Sequence, residues 1–70
     1  MLKPGDTWDH YSIIESDGGT GDGWYVIDDE EGIPFEFDTR EDALKELDNA
    51  KAFASHEVFI LKQTFTVEAI

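Results

Sequence analysis

Aromatic and branched residues gather in four stretches of this chain, and a fifth carries apolar residues at helical spacing. Trp8 to Glu15 is rich in aromatic and branched residues, which predicts a strand. Tyr11 and Ile13 share one face of it, and Trp8, His10 and Ile14 share the other. Trp24 to Asp28 predicts a second strand. Asp29-Glu30-Glu31-Gly32 predicts a turn, with Gly32 free to take positive φ. Ile33 to Phe37 predicts a third strand, with Ile33, Phe35 and Phe37 on one side and Pro34 and Glu36 on the other. Pro34 has no N–H to give, so it belongs at a sheet edge or at the opening of the strand. Glu57 to Ala69 contains no Gly or Pro and predicts one long strand or two collinear ones. There Phe59, Leu61, Phe65 and Val67 lie on one face, with Gln63 interrupting, and Val58 and Ile60 on the other.

The helical signal starts at Thr39-Arg40-Glu41-Asp42. A hydroxyl with an acid three residues later can satisfy N–H groups that a helix start leaves unpaired. Ala43, Leu44, Leu47, Ala50 and Ala54 follow at three- and four-residue spacing. Glu41 and Lys45 suit an i,i+4 pair. The helix should end near Ala52 to Ala54, with Ser55-His56 as its exit. The element order is therefore β-β-β-α-β. The expected fold class is α+β: a small antiparallel sheet, its first three strands a meander, with one helix packed on one face.

Length sharpens this picture. Seventy residues make one domain, 1–70. A chain of this size buries only about 60% of its unfolded surface. No cysteine is present to staple the fold or to supply a thiolate metal site. Nine aromatics supply a small core and set the chain apart from disordered sequences, which have few. No apolar run reaches the ~18 residues of a membrane span. Met1 to Gly5 lacks the apolar run of a signal peptide and reads as a loose lead-in. A cytoplasmic location is expected, that of a bacterial host if the chain is phage-encoded, with no cofactor.

Charge changes the picture most. Seventeen acids face five Lys and Arg, a formal net charge of −12. Asp28, Asp29, Glu30, Glu31, Glu36, Asp38, Glu41, Asp42, Glu46 and Asp48 crowd one stretch, relieved only by Arg40 and Lys45. Such a field repels nucleic acid and anionic membranes and attracts basic protein surfaces.

Candidate chemistry is sparse by comparison. Gly19-Thr20-Gly21-Asp22-Gly23 has the glycines of a phosphate loop but is followed by a strand and carries an acid where phosphate would sit, so a hairpin loop is expected. The acids Asp17, Asp22 and Asp28 to Glu31 are hard oxygen ligands, but their spacing fits no calcium loop. His10 and His56 stand beside Asp9 and Glu57. Strand neighbours face opposite sides, and nothing marks Ser12, Ser16 or Ser55 as a nucleophile. No catalytic residue and no metal site is expected, and an enzyme is the least favoured class.

Two readings of the acidic tract stand at this stage. Each acid has a local explanation, such as a solvated turn or the first turn of a helix, where the dipole favours carboxylates. The total is harder to place, because a net charge of magnitude about 2 to 8 already keeps a small domain soluble. The other reading is mimicry of nucleic acid. Glu36 and Asp38 on one strand face would stand about 6.5 to 7 Å apart, near the spacing of successive phosphates. Asp42 and Glu46, one helical turn on, would extend the row. The aromatics raise a separate question. Trp8, Trp24, Val58 and Ile60 are candidates for a second apolar face, either core or a partner patch.

In size, acidity and strand–helix make-up, the chain resembles the small phage-encoded anti-CRISPR proteins that act as DNA mimics. The residues that carry the likeness are Asp28-Asp29-Glu30-Glu31 and Phe35-Glu36-Phe37-Asp38-Thr39-Arg40-Glu41-Asp42. The resemblance implies a non-enzymatic inhibitor bound to a basic, DNA-contacting surface of a CRISPR effector. In a type I system that is the Cascade assembly and its PAM-reading large subunit. All ten acids named above are the candidate partner-binding residues, and the chain is expected as a monomer or homodimer. An immunity-like protein capping a basic toxin nuclease, or an acidic structural or assembly domain, would share the same charge.

Overall fold

A computed structural model of the chain describes residues 1–16 and 23–70. Its elements run β1 (Thr7–Ser16), β2 (Trp24–Val26), β3 (Glu36–Phe37), α1 (Arg40–Lys51) and β4 (Val58–Thr66). This is the expected α+β domain with its β-β-β-α-β order. The glycine segment read as a hairpin loop lies, but for Gly23, outside the described residues, as do Asp17 and Asp22.

β1 is the centre of the sheet. It pairs antiparallel with β4 along its whole length, from Thr7 opposite Thr66 to Glu15 opposite Val58. The ladder runs on past both ends. Ser16 N donates to the Glu57 carbonyl at 3.1 Å, Gly5 N donates to the Val67 carbonyl at 2.8 Å, and Val67 N donates to the Asp6 carbonyl at 2.9 Å. The first residues are therefore not the loose lead-in expected. A turn in which Asp6 N donates to the Lys3 carbonyl brings them onto the last strand.

β2 and β3 divide the other edge of β1. β2 lies opposite Ile14 to Ser16, and β3 opposite Tyr11 and Ser12. The expected meander, with β2 between β1 and β3, does not form. Instead the chain leaves the ladder at Ile27 and returns at Phe35. Ile13 anchors the fork: its N–H donates to the Phe35 carbonyl at 2.9 Å and its carbonyl accepts from Ile27 N at 3.0 Å. Between the two arms, Phe35 N donates to the Ile27 carbonyl at 3.0 Å and Asp29 N to the Ile33 carbonyl at 2.9 Å, the two bonds that flank the Asp28–Pro34 bridge.

The tip of this excursion is the predicted turn. Gly32 takes φ 81°, a region that L side chains rarely enter. Gly32 N donates to the Asp29 carbonyl at 3.0 Å. The Asp29 carboxylate accepts from Glu31 N at 2.8 Å and Ile33 N at 3.0 Å, the way Asp commonly closes a turn. Ile33, expected in a strand, is thereby held in the turn and is 55% exposed.

The helix starts as its sequence directs. Thr39 is extended, and its hydroxyl accepts from Asp42 N at 3.2 Å. At the other end Phe53 N and Ala54 N turn back to Ala50 and Lys51 carbonyls, tightening the last turn. Ala43 and Ala50 are fully buried; side chains this small let the helix lie close on the sheet. Ile13, Ile27, Phe35 and Ala50 form the core, with Phe37, Leu47, Ala54 and Val58 packed around it. Phe53 adds a tilted ring contact to Phe35 at 6.0 Å.

Candidate functional site

The ten candidate acids all lie at or near the surface, and none is buried. Asp28 to Glu31 ride on the excursion. Glu36 is in β3, Asp38 in the bend after it, and Glu41, Asp42, Glu46 and Asp48 on α1. The two-residue link from Phe37 to α1 keeps Glu36, Asp38, Glu41 and Asp42 close along the chain. The expected strand row of Glu36 and Asp38 is not built, however. β3 ends at Phe37, and Glu36 turns to His10, its Oε2 at 3.1 Å from Nε2.

Several acids have local work. Asp29 closes its turn. Glu46 accepts from the Asn49 side chain at 3.2 Å. Lys45 sits 3.9 Å from Asp42, in place of the expected Glu41, and Lys51 sits 3.9 Å from Asp48. Both lysine pairs are exposed and weak. Asp28, Glu30, Glu31, Asp38 and Glu41 have no partner among the described residues. Their carboxylates are open to whatever approaches.

One acid escaped the sequence reading. Glu15 is buried on the helix side of β1. Its Oε2 accepts from Ser55 N at 2.8 Å and His56 N at 2.9 Å, so it caps the chain as it leaves the helix. A hydrogen bond from Tyr25, its neighbour in the β1–β2 register, is the largest influence holding its carboxyl below the ordinary value. Burial pushes the other way, while the two N–H groups and the nearby His56 add to the lowering. The one clue in the sequence is that Glu15 falls on the same alternate positions as Ile13.

The far face of the sheet is the other surface. Strand register puts Trp8 beside Phe65, His10 beside Gln63, Ser12 beside Leu61 and Glu36, Ile14 beside Phe59 and Val26, and Ser16 beside Trp24. Val58 and Ile60, expected here, lie on the helix side opposite Glu15 and Ile13. Phe59, Leu61 and Phe65 replace them. Trp8, Trp24, Phe59 and Phe65 are each 40% to 50% exposed. Trp8 and Phe65 stack at 5.5 Å, and His10 meets the edge of Phe65 at 6.2 Å. The uncovered end of the helix side is polar by contrast. Asp9 there accepts from the Thr64 hydroxyl at 2.8 Å and pairs with Lys62 at 3.7 Å.

Among the described residues, no three His, Asp or Glu gather as a metal site and no pocket is enclosed. No helix among them is long and apolar enough to cross a membrane. Comparison with protein-family models, with curated proteins and with solved structures finds no match.

Proposed function

We propose that this chain is a non-enzymatic inhibitor that offers its carboxylates to a basic, DNA-contacting protein surface and so keeps DNA away from it. The observation that carries the reading is the set of unpartnered acids. Asp28, Glu30 and Glu31 stand on a turn, and Asp38 and Glu41 at the strand–helix junction. None has a cation or an N–H to satisfy it among the described residues. Arg and Lys that bind phosphate accept carboxylate in the same geometry. On the likeness to the acidic anti-CRISPR proteins, the target class is a CRISPR effector, and in a type I system the PAM-reading large subunit of Cascade. The protein would then act in the cytoplasm of a bacterial host.

The test is capture on the immobilised chain from bacterial lysate, at low and at high salt, with and without competing duplex DNA. A nucleic-acid-binding complex recovered at low salt and released by DNA or by salt is expected. Reversing Glu30, Asp38 and Glu41 to Lys should abolish capture while circular dichroism stays unchanged. Recovery that ignores salt, or that survives the triple reversal, sinks the reading. A toxin nuclease recovered in place of an effector would keep the surface and change the target.

A further inference from the structure

The open sheet face is not explained by a surface that binds basic protein. It runs about 26 Å along β1 from Trp8 to Ser16. At about 150–250 Å² per aromatic side chain, the exposed parts of Trp8, Trp24, Phe59 and Phe65 leave roughly 300–450 Å² of apolar surface. Leu61 and Val26, both half-buried, add to it. That matches the largest patch a monomer usually shows, and such patches are commonly interaction sites.

Charge says what fits there. Among the paired strand positions the only acid on this face is Glu36, and His10 answers it at 3.1 Å. Glu57 stands at the rim, one step before β4. Of the acids within the described strands, Asp9 and Glu15 lie on the helix side and Glu36 alone on this one. Among the described strand positions a basic partner finds only Glu36 to pair with, and nucleic acid finds no Lys or Arg. A second copy of the chain brings the same apolar strand surface, on which the one strand carboxylate, Glu36, already has His10 beside it.

The layout also suits a two-fold. One end of the face carries Trp8 and Phe65, and the other carries Trp24 and Phe59, with Ser12 and Leu61 between them. An axis lying across the strands sets each Trp–Phe end on the other end of the partner, the self-matching contact that a symmetric dimer requires. The sheets would pack face to face as in a sandwich, about 10 Å apart. The apolar area is about half of the ~800 Å² per partner in a standard interface. His10 and Gln63 lie between the Trp8–Phe65 and Ser12–Leu61 pairs, and Glu36, level with Ser12, stands at the strand edge near the axis with His10 beside it.

We infer that the chain forms a homodimer through this face, in which the Trp8–Phe65 end of one copy packs on the Trp24–Phe59 end of the other and the acidic excursion and helix stay outward. The sign of the salt effect is distinctive. Two chains of net charge −12 repel one another, so screening strengthens the dimer. Salt weakens binding to a basic target.

Sedimentation equilibrium of the full chain over a range of concentration, at low and high salt, tests this. The mass should rise toward twice the 7.9 kDa of the chain, and at lower concentration when salt is high. Trp24→Glu and Phe65→Glu, one at each end of the face, should each weaken association at least tenfold with unchanged circular dichroism. Should either variant unfold, isotope-filtered NMR of the parent decides, with contacts expected between Trp8 or Phe65 of one copy and Trp24 or Phe59 of the other. A monomer at all concentrations and salts, association untouched by both variants, or a dimer without those contacts overturns the inference. A monomer whose face is instead occupied by a captured protein overturns it equally. The acid-reversed Glu30, Asp38 and Glu41 variant should still dimerise, so the dimer and the proposed inhibition fail separately.

Discussion

The two faces of this sheet are made from the same strands and have opposite needs. The helix side is closed where α1 covers it: Ile13, Ile27, Phe35, Ala43 and Ala50 are buried, with one satisfied carboxylate, Glu15, among them. The far side holds larger side chains, two Trp and two Phe, and leaves each about half exposed. A domain of this size would be expected to put its largest apolar groups where they are best covered. Here both tryptophans lie on the uncovered side with Phe59 and Phe65, while Phe35 and Phe37 join the alanines against the helix. The helix side thus carries the main core, while the far side buries only its middle, Ser12 and Ile14, and leaves its aromatic ends exposed; the acids occupy a third region, the excursion and the helix.

Truncating one buried and one half-exposed side chain should separate the two faces most sharply. Ile13 is fully buried, and Ile13→Ala should cost about 2–5 kcal/mol, enough to unfold much of a marginal domain. Phe59 removes more atoms, but it is already 46% exposed. Phe59→Ala should cost less than half as much in dilute, monomeric protein. Urea unfolding of both variants reads the ratio. Equal losses would mean that the open face is part of the core.

Glu15 sharpens the same contrast from within the closed side. Replacing it with Gln removes a charge that accepts three hydrogen bonds, from Tyr25, Ser55 and His56, at about 1–3 kcal/mol. The pH dependence has a fixed sign. The folded-state value is lowered from 4.5, so the folded state favours the ionised form. That stability is whole above the unfolded value, and it is lost as pH falls below 4.5 and through the folded value. Urea midpoints measured downward from pH 6 should fall less steeply for Glu15→Gln than for the parent. Parallel slopes would show that the acid sensitivity belongs to the surface carboxylates instead.

What the sequence disclosed follows from what local rules can reach. Thr39, Asp42 and the alanine stripe announced α1, because capping and helical spacing act within a few residues. Gly32 announced its turn for the same reason. Strand alternation sorted Phe59, Leu61 and Phe65 from Val58 and Ile60, but alternation does not say which set the helix will cover. Nor did it make β1 central, since period two fixes faces and leaves neighbours open. Ile33-Pro34-Phe35 looked like strand throughout, and only the Asp29 carboxylate reaching Ile33 N reveals the turn. Of the candidate site, the acids were legible one by one as surface residues. Which of them would stay unpartnered was not. That depended on Glu36 meeting His10 from a strand far away in sequence, and on Lys45 choosing Asp42 over Glu41.

The smallest effect separates charges that serve the helix from charges that do not. Asp42 and Asp48 each pair with a lysine three residues on, at the same 3.9 Å and both in solvent. If those pairs mattered, Asp42→Asn and Asp48→Asn would lose stability alike. The helix dipole predicts otherwise. Asp42 lies in the first turn, where a carboxylate is favoured, so Asp42→Asn should lower the urea midpoint slightly. Asp48 lies toward the far end, where a carboxylate is disfavoured, and it adds to a net charge of −12. Asp48→Asn should therefore leave the midpoint level or raise it. A midpoint that rises means the acid at 48 is not there for folding. That is the behaviour expected of a residue kept for the surface it presents.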